Sequence, residues 1–214
     1  MTKARVGVLV SGRGSNLQAL IDACADPSFP AQIVLVISNV PGVYALERAE
    51  KAGIPTRTIP HKGFASREAF DVAMDAELRS AGVEIVCLAG FMRLLSAPFT
   101  QGWAGRMINI HPALLPSFKG LHTHQRALDE GVKLHGCTVH LVTPDLDAGP
   151  ILVQAAVPVL PQDDSDSLAA RVLEQEHKCY PLALRLLAEG RVAVEGNRAV
   201  VDAAGEGALV NPTV

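Results

Sequence analysis

The stretch Val6–Asn16, which reads VGVLVSGRGSN, decides the fold class. Val6–Val10 is an unbroken apolar run, as expected of a strand covered on both faces rather than one with a wet side. Ser11-Gly12-Arg13-Gly14 interrupts it, and Leu17–Cys24 then follows as a helix candidate. A buried strand that turns through glycines into a helix opens a βαβ unit.

Downstream the pattern repeats. Ile33–Ile37 is a second apolar run, closed by Ser38-Asn39, and Val83–Ala89 is a third, closed by Gly90. Tyr44–Ala52 and Ser66–Ser80 lie between them as helix candidates; Phe70, Met74 and Leu78 share one face of the second. Gly53 and Gly82 stop both helices. Strands and helices alternating in this way predict a parallel sheet with right-handed crossovers.

The second half changes character. Met107–Ile110 reads as a fourth strand, followed by a proline-rich loop from Pro112 to Gly120 and a short helix over Leu121–Glu130. His135–Thr143 and Ile151–Val159 are β-rich runs joined by Pro144–Pro150, a connection too long for a two-residue hairpin turn. Asp164 or Ser165 caps a long helix reaching about Glu189, within which Pro181 predicts a kink or a division. Arg191–Val194 and Arg198–Val201 form a small terminal hairpin around Glu195-Gly196-Asn197. One domain over 1–203, with a tail over 204–214, is the expected organisation.

Composition narrows the function. Nineteen Lys and Arg against 22 Asp and Glu give a net charge of −3, which excludes a strongly basic nucleic-acid binder. With 49% hydrophobic and 19% charged residues the chain is built to fold, and 4% aromatics leave little for a base-stacking surface. No apolar run reaches the roughly 18 residues that cross a bilayer, and the start lacks the pattern of a secretory signal. Cys24, Cys87, Cys137 and Cys179 are widely spaced without a C-x-x-C pair, as in reduced, packed thiols of a cytoplasmic protein.

Five motifs carry candidate chemistry, and each has a plainer reading. The glycines of Ser11–Asn16 let backbone approach a ligand, and the helix start behind them suits an anion. The third glycine of a dinucleotide fingerprint is replaced by Leu17, Ser38-Asn39 stands where an acid is wanted, and no Walker lysine is present. The ligand expected is therefore a monophosphate or phosphosugar; the alternative is an ordinary βα turn.

Asn109 and His111 are two residues apart at the end of a strand and so project to one side, where an amide and an imidazole could hold an oxyanion. Their plainer reading is a histidine bonded to local backbone. Asp145-Leu146-Asp147-Ala148-Gly149-Pro150 is either an Asx turn or the source of a carboxylate that orients the histidine. His122-Thr123-His124 invites a metal reading with His111, but an H-x-H pair near a helix start puts the two rings on different faces, no carboxylate has ligand spacing, and no metal is expected. Glu174-Gln175-Glu176-His177 is a solvated helix face, unless Glu176 reaches ribose hydroxyls or an amine. Phe91–Leu95 mixes apolar surface with one cation, as a flat heterocycle would need, although such runs are commonly core.

Taken in order, SGRGSN, SREAFD, LAGFMRLLS, NIHPALLPSFKGLHTHQRAL, GCTVHLVTPDLDAGPILVQ and RVLEQEHKCYP resemble the phosphoribosylglycinamide formyltransferase family of folate-dependent formyltransferases over about residues 5 to 200. The resemblance implies a three-layer α/β fold, with a Rossmann-like parallel N-terminal half and a mixed, partly antiparallel C-terminal part of the same sheet. It implies formyl transfer from 10-formyltetrahydrofolate, as co-substrate, to the amine of glycinamide ribonucleotide, in a monomer or homodimer that needs no metal, nucleic acid or membrane. By resemblance Asn109, His111 and Asp147 are catalytic. Gly14, Ser15, Asn16 and Leu173, Glu174, Gln175, Glu176 bind the phosphosugar. Arg67, Met92, Arg93, Leu94, Leu95, Asn109, Thr143, Pro144, Asp145, Leu146 and Asp147 contact the folate. Lys119 has no physical account.

Three alternatives stand beside this. A methionyl-tRNA formyltransferase would need a further C-terminal domain and a basic surface. A formyltetrahydrofolate hydrolase would carry an added N-terminal domain, for which a first strand at Val6 leaves no room. A non-catalytic phosphosugar-binding module would not need Asn109, His111 and Asp147 together.

Overall fold

The computed structural model describes residues 2–201; the expected tail over 204–214 lies outside them. Among the described residues nine strands and six α-helices follow in order: β1 (Ala4–Val10), α1 (Ser15–Ala25), β2 (Ala31–Ser38), α2 (Tyr44–Lys51), β3 (Thr56–Thr58), α3 (Arg67–Ser80), β4 (Ile85–Leu88), α4 (Ala97–Gly102), β5 (Met107–His111), α5 (Thr123–Asp129), β6 (Leu134–Leu141), β7 (Ile151–Pro158), α6 (Ser165–Ala188), β8 (Val192–Glu195) and β9 (Arg198–Val201).

Seven strands make one sheet in the order β3-β2-β1-β4-β5-β6-β7. The pairs from β3 to β5 are parallel, and β5-β6 and β6-β7 are antiparallel. β8 and β9 form a separate hairpin, with β9 against β7. The parallel first half is the architecture the alternating strands and helices predict, and the antiparallel extension is the one the family resemblance implies.

Side-chain alternation divides the sheet into two faces. Val6, Val8 and Val10 of β1, Cys87 of β4 and Ile108 and Ile110 of β5 join a core with α1, α2 and α6. Leu9, Val86, Leu88 and Met107 point the other way, into a second core with Phe70, Met74 and Leu78 of α3 and Phe99 of α4. On that second face the apolar cover ends at Met107. The next same-face positions on β5 are Asn109 and His111, and their direct partners on β6 are His140 and Thr138. A polar stripe therefore lies where loops 112–122 and 142–150, rather than a helix, cover the sheet.

Two short elements carry no clear sequence pattern, β3 and α4. Of the two outcomes expected at Pro181, division does not occur: α6 is one 24-residue helix that runs through it. The proline removes one backbone donor, but burial of Cys179, Tyr180, Ala183 and Leu184 holds the helix on both sides of it. The Tyr180 hydroxyl lies 2.8 Å from the Leu88 carbonyl and 3.2 Å from that of Ile108, which pins this turn onto β4 and β5. At the other end Asp164 caps α6: its carboxylate accepts Ser167 N–H at 2.8 Å, and Ser167 Oγ accepts Asp164 N–H at 3.0 Å.

Candidate active site

Residues that sequence spacing placed separately meet on the polar stripe. Asp147 comes from the β6–β7 loop, which folds back over the sheet. Gly149 permits this, since a Cβ there would collide with the Leu141 carbonyl. Asp147 itself has φ 46, in the left-handed region that Asp tolerates better than most side chains. Its Oδ2 accepts Gly120 N–H at 2.9 Å and lies 3.4 Å from His111 Nδ1. Its Oδ1 is 3.8 Å from His140 Nε2. The carboxylate and both imidazoles are almost fully buried.

The hydrogen bonds around His140 fix its tautomer. Nδ1 faces the Leu141 carbonyl at 2.9 Å and must donate to it. Nε2 is then the acceptor for the Asn109 Nδ2 amide at 3.3 Å. Burial lowers the His140 pKa and so favours this neutral ring, against an opposing pull from Asp147. Asn109 therefore has a fixed orientation, with one amide hydrogen on His140 and the second free. His111 differs, because Nε2 lies 3.0 Å from the Phe118 carbonyl while Nδ1 faces Asp147.

The glycine turn is built as a second centre. Gly14 stands at the N-cap of α1 with φ 72, and no side chain caps this helix. A Cβ at Gly14 would come 2.6 Å from Ala45 Cβ and 2.8 Å from Ala45 Cα, so α2 packs directly on the turn. Arg48 of α2 braces it from below, donating to the Arg13 carbonyl at 2.9 Å and to Gln18 Oε1 at 3.0 Å. Asn16 Nδ2 donates to Glu176 Oε2 at 2.6 Å, joining α1 to α6. Burial raises the Glu176 pKa, and the Asn16 bond opposes that rise. Around Glu176, Leu173 and Gln175 are half-buried and Glu174 is exposed.

The structure thus brings Asn109, His111 and Asp147 together, and Gly14, Ser15 and Asn16 together with Glu176. Thr143, Pro144, Asp145 and Leu146 share the Asp147 loop, where Thr143 Oγ1 donates to the Asp145 carbonyl at 3.3 Å. Met92–Leu95 follow β4, with Met92 and Leu94 exposed and Arg93 half-buried. Arg67 sits at the start of α3, and its guanidinium faces Glu68 at 3.6 Å. Sequence reasoning missed His140, Arg48 and the Phe118 carbonyl. His140 had a signal: Thr138 and His140 are polar residues alternating within the apolar strand GCTVHLV.

His122 and His124 separate. His122 takes φ 57 at the N-cap of α5, whereas the His124 ring lies edge-on to His135, 5.3 Å between centroids. Among the described residues no group of three or more His, Cys, Asp or Glu is placed to hold a metal ion, and no helix is long and apolar enough to cross a membrane.

Residues 4–184 match the family described as formyl transferase. The chain is 48% identical to the phosphoribosylglycinamide formyltransferase of Escherichia coli (strain K12), over 91% of this chain and 92% of that protein. It is 56% identical to part of the trifunctional purine biosynthetic protein adenosine-3 of Bos taurus, over 91% of this chain, and spans 19% of that much longer relative. Among solved structures, glycinamide ribonucleotide transformylase 1 from Symbiobacterium toebii superposes with a TM-score of 0.91 at 47% identity, covering 93% of this chain and 94% of that one.

Proposed function

The chain belongs to the formyl transferase family, and from that membership we propose that it transfers the formyl group of 10-formyltetrahydrofolate to the amine of glycinamide ribonucleotide, a step of purine synthesis. The observation that carries this reading is that Asn109 and His111 share one sheet face and that Asp147, from the loop folded over it, lies 3.4 Å from His111 Nδ1.

The glycine turn and the start of α1 take the phosphate, with unpaired backbone N–H groups and the positive end of the helix dipole. Glu176, held by Asn16, meets the ribose hydroxyls. Exposed Met92, Leu94 and Leu146 offer apolar surface for a flat pterin, so the residues present fit the folate. Arg67, Arg93, Leu95, Thr143, Pro144 and Asp145 complete that side.

Attack of the neutral amine on the formyl carbon places negative charge on the former carbonyl oxygen. Asn109 donates its free amide hydrogen to that oxygen, a contribution of roughly 3 kcal/mol for a well-placed donor. His111 adds a second donor when Nε2 exchanges the Phe118 carbonyl for the oxyanion. Asp147, 3.4 Å from His111 Nδ1, relays a proton from the attacking nitrogen toward the departing folate nitrogen. Holding both substrates in one cleft supplies much of the remaining acceleration.

The test is a two-substrate assay by mass spectrometry, with each substrate omitted in turn. Formylated product and tetrahydrofolate are expected only with both present. Folded protein that yields no product rejects the assignment. Tetrahydrofolate released without the phosphosugar redirects it to hydrolysis.

A further inference from the structure

Apart from the catalytic trio, a directed chain of hydrogen bonds joins the glycine turn to the segment after β4. Met92 N–H donates to Ser11 Oγ at 2.9 Å, across 81 positions of sequence. A backbone N–H cannot accept, so the Ser11 oxygen accepts there and its own hydrogen goes to Asn39 Oδ1 at 2.6 Å. The Asn39 amide nitrogen then lies 3.3 Å from His61 Nδ1, which also lies 3.4 Å from the Asn39 carbonyl, so the ring meets Asn39 by accepting from its amide in one tautomer and by donating to its carbonyl in the other. His61 is set in turn by Phe70, edge-on with 6.3 Å between ring centroids. Asn39 and Phe70 are buried, so the far end of the chain is anchored in the α3 core.

We propose that Ser11 is a positioning residue for Met92–Leu95, held by Asn39 and His61, and that it thereby sets the affinity for the folate. The inference rests on the reading above that this segment contacts the pterin. Two tethers fix the segment to the body of the protein: Ser11 at Met92, and Asp71, whose Oδ2 accepts Ser96 N–H at 2.6 Å. Between them the Met92 and Leu94 side chains stand exposed. Removing the Ser11 hydroxyl releases the first tether and leaves two groups unpaired, the Met92 amide and the Asn39 oxygen. The one hydrogen of the hydroxyl is committed to Asn39, so Ser11 has none to donate to a substrate and acts through Met92. It also adjoins Gly12, so one oxygen links the proposed phosphate and folate halves of the cleft.

The experiment compares wild type, Ser11→Ala, Ser11→Thr and His61→Leu by calorimetric titration with tetrahydrofolate, by steady-state kinetics and by amide exchange at Met92. Ser11→Ala is expected to weaken tetrahydrofolate binding about tenfold, as for loss of one organising hydrogen bond, and to speed Met92 exchange. The phosphosugar KM is expected to stay within about threefold, because the turn keeps its Arg48 and Ala45 supports. Ser11→Thr, which retains the oxygen, restores both readouts, and His61→Leu gives an intermediate loss. Unchanged tetrahydrofolate affinity in Ser11→Ala, a parallel rise in Kd and phosphosugar KM, or unchanged Met92 exchange overturns the proposal. Wild-type protein that neither turns over nor binds tetrahydrofolate instead rejects the functional reading, and Met92 exchange still decides whether Ser11 holds the segment.

Discussion

Asp147 Oδ2 lies 3.4 Å from His111 Nδ1 and is held there by the Gly120 N–H at 2.9 Å. The carboxylate is thus aimed by backbone from one loop while riding on another, and His111→Ala and Asp147→Asn remove two ends of one contact. Each is expected to lower kcat by at least about a hundredfold through lost charge stabilisation. Because the two act as a unit, the double variant is expected to be little worse than either single one. Rapid-quench and steady-state rates check this; near-wild-type turnover in both single variants removes the mechanism.

His140 never needs to touch a substrate to matter. Its Nε2 accepts from Asn109 and so decides which way that amide points. His140→Ala is expected to lower kcat about tenfold, the order seen when an orienting partner behind a reactive group is lost. His140→Gln, which offers an acceptor in reach, is expected to recover part of it. Equal losses in the two variants, or a change in KM alone, would count against an orienting role.

Much of the fold was legible in the sequence because buried strands and amphipathic helices are written in local periods of two and 3.6. β3 was not, being three residues of Thr-Arg-Thr beside one parallel neighbour, and α4, at six residues, is too short to display a period. Pro181 does not divide α6 for a physical reason: a local penalty at one residue is outweighed by burial of the residues around it. At the site, the shared face of Asn109 and His111 follows from strand alternation alone. The approach of Asp147 does not, since it depends on a loop folding back over a sheet whose antiparallel pairing is a long-range fact. His140 lay in the same blind spot, because its role arises from cross-strand pairing with Asn109.

Glu176 is tied to Asn16 by a 2.6 Å hydrogen bond in a buried setting, with burial raising the pKa of the carboxyl. The bond needs an acceptor, not a charge. Glu176→Gln is therefore expected to keep the phosphosugar KM within about threefold, whereas Glu176→Ala strands the Asn16 amide and raises it about tenfold. The KM for the folate is expected to move in neither. A rise in folate KM equal to that for the phosphosugar would place Glu176 outside the phosphosugar side of the cleft.

His135 is fully buried, its ring edge-on to Phe118 and His124 at 5.7 and 5.3 Å. Burial first, and the neighbouring His124 second, push its pKa down from 6.5 to about 4. The unfolded chain takes up a proton near pH 6.5 that the folded ring refuses until about pH 4, so within that window the unfolded state binds more protons. Stability is then fully present above the unfolded pKa and falls as pH drops through the window. His124 and His140, both lowered chiefly by burial, act in the same direction. The thermal midpoint is expected to hold steady above neutrality and to decline across this range, and His135→Leu is expected to shallow the decline by removing one of the three protons. An identical decline in the variant would show that His135 is not among the groups responsible, and the cause would then lie with carboxylates titrating lower or with the other two rings.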